Sequence, residues 1–272
     1  MTAESGHRVQ LFEAADEIGG QLRFTGNSAK RSDTAAVIGY WEAELARLGV
    51  DVHVGTTVDA ELVRAIAPDI VMVATGARPA NDGILIWHPG HPVTGWGSLP
   101  SLTSWDVLSG QPAGPAVVVY DDYGQYEAID VVDRLLADGA TVHYATRFSR
   151  IGDRMDGDPW LWEVAIRPHQ REMMANPAFT AHPNVVVEAI TSDSVTFVSL
   201  DTADRVETVS ANSIVIVASR PVNRLTEDLA SVVAEVVTIG DADGIRTLEA
   251  AVYDAHVAAR AIGATTRKVT AR

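Results

Sequence analysis

The sequence predicts an α/β fold with two doubly wound, Rossmann-like units, and three observations carry that prediction. The first third of the chain alternates short apolar runs with helical periodicity in the order β, α, β, α, β. A proline-rich stretch from Ala80 to Pro115 breaks this rhythm, and a second alternation begins at Ala116. Strands separated by helices and short turns form parallel sheets, because parallel neighbours need a crossover connection.

The first unit opens with His7–Glu13, where Val9, Leu11 and Phe12 suit a short buried strand closed by an acid. A Gly-Gly turn and a polar loop reach Lys30. From Thr34 to Leu48 the apolar positions Ala36, Val37, Tyr40, Trp41, Leu45 and Leu48 recur at helical spacing, and Gly49 ends the helix. Val50–Val54 then reads as a strand, Ala60–Ile66 as a short helix and Asp69–Ala74 as a buried strand. The next stretch holds five prolines, at 89, 92, 100, 112 and 115, with Trp87, Trp96 and Trp105, and reads as a connector whose tryptophans pack at a domain junction.

The second unit begins with Ala116–Tyr120 as a strand, Gln125–Asp138 as a helix stopped by Gly139, and Thr141–Ala145 as a strand. Val185–Ile190, Ser194–Leu200 and Arg205–Ser210 read as antiparallel strands and Ser213–Ala218 as a buried one. Val236–Gly240 closes the series as a strand, and Arg246–Ile262 as a long Ala-rich helix. The segments DIVMVATGARP and SIVIVASRPVN resemble each other, as though one strand-and-turn device were used twice. The expected division is residues 1–80 with 232–272 as one domain, 81–115 as connector and 116–231 as the second.

Composition narrows the function. At 272 residues and 47% hydrophobic, the chain can bury one large core or two moderate ones. A net charge of -15 argues against nucleic acid and against an anionic membrane surface, while leaving room for a nucleotide bound through backbone amides. With no cysteine, disulfides, thiolate zinc sites, dithiol chemistry and cysteine-held iron–sulfur clusters are excluded from this chain, so electron chemistry needs a bound organic cofactor. Apolar runs fall short of a membrane span and MTAESGHRV lacks a signal core, so the expected location is cytoplasmic.

Four places could carry nucleotide chemistry. Glu13, ending a strand, has the position from which an acid bonds ribose hydroxyls, although alone it could equally be a solvated strand terminator. Gly19 and Gly20, followed by Gln21, would let backbone approach a pyrophosphate. Ala74, Thr75 and Gly76 lie at the carboxyl end of a buried strand, where open α/β sheets bind ligands, although the turn could equally be a plain strand terminator. Asp241 stands between a strand and the last helix, where it could accept hydroxyl hydrogen bonds or simply cap its own loop. His88, His91 and His256 lack carboxylates at ligand spacing, no G-x-S-x-G elbow occurs, and no catalytic acid–base pair stands out.

Together GHRVQLFEAADEIGGQLRF, ELARLGVDVHVGTTV, PDIVMVATGARP and VVTIGDADGIRTLEAAVYDAHVAARAI resemble the carboxyl-terminal half of one flavoprotein family. Its members are the trimethylamine, dimethylamine and histamine dehydrogenases and 2,4-dienoyl-CoA reductase, related to old yellow enzyme. The second unit, AVVVYDDYGQYEAIDVVDRLLADGATVHYATR, is more similar to the amine dehydrogenase branch. The resemblance implies two glutathione-reductase-like nucleotide domains behind an FMN- and iron–sulfur-bearing barrel, the first domain holding FAD or ADP. It implies that Glu13 contacts the adenosine ribose, that Gly20 and Gln21 follow the pyrophosphate, and that the Val58 backbone meets adenine. Thr75-Gly76 would line the phosphate side and Asp241 the ribityl chain or pyrophosphate.

The chain departs from that family in three respects. It carries no barrel and no cluster cysteines. The opening strand with its G-x-G-x-x-G loop is missing, residues 2–6 reading as the end of the helix that should follow. Where the second domain should show its glycine fingerprint stands Asp121-Asp122-Tyr123-Gly124, whose carboxylates disfavour NAD(P). The expectation is therefore an FAD- or ADP-binding oxidoreductase component that works with an FMN-barrel subunit or domain. A non-catalytic structural subunit, or a truncated product, is the alternative.

Overall fold

The computed structural model describes residues 1–28, 30–155, 166–202 and 206–269. They divide into two compact units: unit 1 is residues 1–23, 35–78 and 219–272, and unit 2 is residues 24–34 and 79–218.

The chain starts with β1 (Gln10–Phe12), α1 (Leu22–Thr25), α2 (Ser32–Arg47), β2 (Asp51–His53), α3 (Ala60–Ile66), β3 (Ile70–Val73) and β4 (Ala77–Pro79), which belong to unit 1 except for residues 24–34 and Pro79. β1 is shorter than the expected His7–Glu13 because only the three residues of β2 pair with it, in parallel. Asp59 caps α3 by accepting the Leu62 amide at 2.8 Å, the role its residue type favours.

Unit 2 holds β5 (Ser101–Thr103), α4 (Ser104–Leu108), β6 (Ala116–Asp121), α5 (Tyr126–Ala137), β7 (Thr141–Thr146), α6 (Arg167–Ala175), β8 (Phe179–His182), β9 (Val185–Ile190), β10 (Ser194–Ser199), β11 (Val206–Ser210) and β12 (Ser213–Val217). Arg205, expected to start β11, lies outside the described residues. The sheet order is β5-β12-β6-β7-β8, all parallel, and β9, β10 and β11 form a separate antiparallel sheet. This answers to an α/β fold with a parallel sheet.

The pleat sorts β6 onto two cores. Val117 and Val119 join Val142, Tyr144, Val215 and Val217 under the α5 face formed by Ala128, Ile129, Val132 and Leu135. Val118 and Tyr120 turn the other way, onto Val187, Val195 and Phe197 of the antiparallel sheet. A strand buried on both faces must be apolar throughout, which is why AVVVY shows no alternation.

Segment 81–115, expected to be a connector, has a different place. It supplies β5 to the sheet edge and α4, started by a Thr103–Asp106 capping box, and it buries Leu85, Val93, Leu99, Leu102, Val107 and Leu108. Its prolines and glycines hide these contributions because they interrupt every run that periodicity could detect. Trp96 and Trp105 pack within unit 2, Trp105 stacked on Phe24 with ring centres 4.6 Å apart, whereas Trp87 is exposed. Residues 24–34 join this unit because Ser28 Oγ donates to Asp130 at 2.8 Å and Arg31 pairs with Asp130 at 2.7 Å.

The chain returns to unit 1 as β13 (Ser219–Pro221), α7 (Arg224–Leu229), β14 (Glu235–Thr238) and α8 (Leu248–Val269). β14 pairs with β3 in parallel, and β13 pairs with β4. Among the described residues no helix is long and apolar enough to cross a membrane.

Phe197 is fully buried at the centre of the second core. Phe197→Ala is expected to cost about 3–5 kcal/mol in urea unfolding, against less than about 0.5 kcal/mol for Val206→Ala on an exposed strand position.

Candidate functional site

The expected site residues all lie in unit 1, at strand ends and in the turns that follow them. The Gly-Gly turn and the end of β14 meet directly: Gln21 Nε2 donates to Asp241 Oδ2 at 2.6 Å. The other oxygen, Asp241 Oδ1, accepts the Arg246 amide at 3.1 Å, so the carboxylate is held between the turn and the approach to α8. Gly240 has φ +61°, and a Cβ there would lie 3.3 Å from Ala251 Cβ, so the lack of a side chain brings the strand end close to α8.

The two glycines differ. Gly19, at φ +116°, would drive a Cβ to 2.7 Å from Ile38 Cδ1, so this position serves packing against α2 as well as the turn. Gly20, at φ +51°, faces open space at its Cβ position. Arg23 braces the loop, its Nε donating to the Ile18 carbonyl at 2.6 Å and its guanidinium pairing with Glu17 at 2.8 Å.

The carboxyl end of β3 forms a second group. Val73 is buried, while Ala74 and Thr75 are exposed immediately after it and Gly76 turns at φ +70°. Thr75 Oγ1 donates to the Val222 carbonyl, and the Val222 amide donates to Gly76 O at 2.9 Å, which fastens this turn to the residue directly after β13. Glu13, half-buried at the end of β1, folds back on its own loop: its Oε1 accepts the Ala15 amide at 2.9 Å. Val58 is half-buried beside the α3 cap. The structure thus joins Gln21 to Asp241 by a hydrogen bond and holds Glu13 and Thr75-Gly76 through partners of their own. A cavity of about 410 Å³ lies against α2 and β2, lined by Asp16, Glu17, Glu42 and six apolar residues, none of them in the expected set.

Arg23 and Arg246 are the positions that sequence reasoning passed over. Arg246 also pairs with Asp254 on α8. Each follows a glycine-containing turn, a signal that a brace for that turn could have been sought.

In unit 2, Asp121 and Asp122 are both fully buried. Asp121 Oδ1 accepts the Tyr123 and Gly124 amides at 2.9 and 2.7 Å, and Tyr144 Oη donates to Oδ2 at 2.6 Å. Burial pushes the Asp121 carboxyl up to about 6; the Tyr144 hydroxyl and the two amides oppose that rise, and Asp122 adds to it. Asp122 accepts the Ile86 amide at 2.8 Å and Arg147 Nε at 3.0 Å. The Tyr120 hydroxyl, also buried, has no hydrogen-bond partner among the described residues. Sequence reasoning also missed a chain of imidazoles: His182 Nδ1 lies 3.1 Å from Glu207 and its Nε2 lies 3.1 Å from His143 Nδ1. Burial, then the neighbouring His182, holds His143 below its usual range.

No protein-family model matches the sequence. Over 158 residues the chain is 35% identical to the N,N-dimethylglycine/sarcosine dehydrogenase of Chromohalobacter salexigens, which covers 58% of this chain and 22% of that protein. Among solved structures, the 6-hydroxypseudooxynicotine amine oxidase of Pseudomonas geniculata N1 superposes with a TM-score of 0.83 at 26% identity, covering 95% of this chain and 39% of the other. Histamine dehydrogenase from Rhizobium sp. 4-9 also gives 0.83, at 22% identity over 95% of this chain and 41% of its own, a likeness of fold. The chain therefore spans 22% of that curated relative and roughly two fifths of the solved chains.

Two outcomes test the buried carboxylates. Tyr144→Phe removes a donor from buried Asp121 and is expected to cost about 1–3 kcal/mol in chemical unfolding, whereas Tyr120→Phe, which removes an unpartnered hydroxyl, costs nothing measurable. Because the folded state raises the Asp121 pKa from 3.8 to about 6, folding takes up a proton between those values, and this contribution grows as pH falls through that window. Asp121→Asn is expected to abolish that slope, read from unfolding midpoints at a series of pH values.

Proposed function

Since the chain belongs to the flavoprotein family of amine dehydrogenases and reductases that these relatives represent, we propose that it is the nucleotide-binding component of a flavin-linked, amine dehydrogenase-like oxidoreductase. In this reading both units derive from dinucleotide-binding domains, and unit 1 takes FAD or ADP. It works with an FMN-bearing barrel, as a further domain or a separate subunit, and substrate choice belongs to that barrel.

The observation that carries the reading is the Gln21–Asp241 hydrogen bond, which ties the Gly-Gly turn to the end of β14. The chemistry of the donors fits a nucleotide. Ala74 and Thr75 open to solvent at the end of a buried strand, and the space beside Gly20 is clear for backbone to approach a phosphate. Asp241 precedes a 22-residue helix whose amino end favours negative charge. Glu13 would take the ribose hydroxyls once its carboxylate is shared with Ala15, and the Val58 backbone would meet adenine. Gly19, Gly20 and Gln21 would follow the pyrophosphate, Thr75-Gly76 the phosphate side, and Asp241 a ribityl hydroxyl or the pyrophosphate. FAD, when bound, would supply the electron-carrying group; ADP would serve only structure.

A second reading, a subunit that keeps the fold as a scaffold, is favoured by Asp121 and Asp122, whose carboxylates are engaged by the protein's own groups. It predicts co-purification with an FMN protein and no nucleotide in this chain.

Calorimetry with ADP and the visible spectrum of the purified chain separate the two. The proposed function expects ADP or FAD binding that Glu13→Ala and Asp241→Ala each weaken by about 10- to 100-fold, roughly 1.4–2.8 kcal/mol. A colourless protein without affinity for either would leave the scaffold.

A further inference from the structure

The end of β6 is where unit 2 changes direction. From β6 the chain runs through β7 and β8 on one side, while β12 and β5 occupy the other. In open parallel sheets such a switch point is the place where ligand phosphates bind, against the turn and the helix that follow the strand.

Here the turn leads into the 12-residue helix α5, and its amides have already been used. Those of Tyr123 and Gly124 converge on Asp121 Oδ1 at 2.9 and 2.7 Å, and Tyr144 Oη closes on Oδ2 at 2.6 Å. The space is filled as well. A Cβ on Gly124 would lie 2.9 Å from Arg154 Cγ and 3.0 Å from the Phe148 ring, so side chains stand where a close-approaching ligand would need room. Asp122, fully buried and held by Ile86 and Arg147, adds a second negative charge beside the first. A phosphate arriving at this turn would have to displace one buried carboxylate and sit beside another.

We propose that Asp121 is a built-in substitute for a ligand phosphate, and that unit 2 is thereby closed to nicotinamide dinucleotides. This rests on unit 2 alone and stands whether or not unit 1 binds FAD or ADP.

The test titrates NADH, NADPH and inorganic pyrophosphate into the full chain by calorimetry, for the wild type, Asp121→Asn and Asp121→Gly. Amide resonances of Tyr123 and Gly124 are followed in parallel by NMR. Wild type and Asp121→Asn, which keeps the shape of the plug, are expected to give no heat at this turn and no shift of those amides. Asp121→Gly is expected to bind pyrophosphate at least about tenfold more tightly than wild type. A shift of the two amides when wild type is given NADH overturns the proposal. So does a folded Asp121→Gly protein, checked by circular dichroism, that gains no affinity. If that variant does not fold, the wild-type amides still decide the matter, because an open site moves them and a closed one does not.

Discussion

A carboxylate with no exposed surface must find its donors inside the protein, and the end of β6 is organised around that requirement. Asp121 takes two amides from the turn and one hydroxyl from β7, and its own carbonyl accepts Thr146 Oγ1 at 2.8 Å. Those bonds fix the turn, the start of α5 and the register of β6 against β7 at one point. Hydrogen bonds to a charged group are stronger than neutral ones, and each offsets part of the desolvation that raises the Asp121 pKa. These bonds to the turn all come from the chain's own groups.

The two units are built to different depths. Among the described residues, both hydrophobic clusters belong to unit 2, Phe24 of its segment 24–34 included. In unit 1 the strands β1, β3 and β14 carry the apolar residues of buried strands, yet most of them are only half-buried, and the sheets there are two-stranded. Tyr40, Val52, Val54, Leu248, Val252, Tyr253 and Val257 are exposed in the same unit. Two-stranded sheets are marginal alone, so the polar ties of unit 1, above all Gln21 to Asp241 and Arg23 to the Ile18 carbonyl, have more of the local geometry to hold.

Much of this was legible in the residues. α3 spans the expected Ala60–Ile66, and β6, α5, β7 and β12 fall within a residue or two of their expected bounds. In these elements an unbroken apolar run or a helical spacing carries the signal, and Asp121 closes β6 as Gly139 stops α5. Segment 81–115 was illegible because its buried residues are spaced by prolines and glycines, so burial there follows tertiary contact and no local repeat. β8 and α6 were missed for a related reason: FTAH and RPHQREMMA mix polar and apolar positions without a clear face. At the candidate site, residue types such as Glu13, Gly20 and Asp241 could be read off, while pairing could not. Gln21 and Asp241 stand 220 positions apart, and only folding brings an amide to that carboxylate.

The resemblance between DIVMVATGARP and SIVIVASRPVN has a structural counterpart. In each, a parallel strand ends and a short strand follows at once: β3 then β4, and β12 then β13. The short strands pair with each other, the Ala80 amide donating to Ala218 O at 2.8 Å and the Val222 amide to Gly76 O at 2.9 Å, so they run in opposite directions. Similar sequence therefore meets similar sequence across one small ladder, and the Arg-Pro of each lies at its centre. Proline donates no ladder hydrogen bond and is confined to strand edges, so a two-stranded ribbon, in which each strand pairs along one side only, is where two such segments can be accommodated. The exposed Thr75 and turning Gly76 sit directly before this ribbon, and the hydrogen bond from the Val222 amide anchors them. The ribbon thereby supplies the backbone against which the turn at the end of β3 holds its shape.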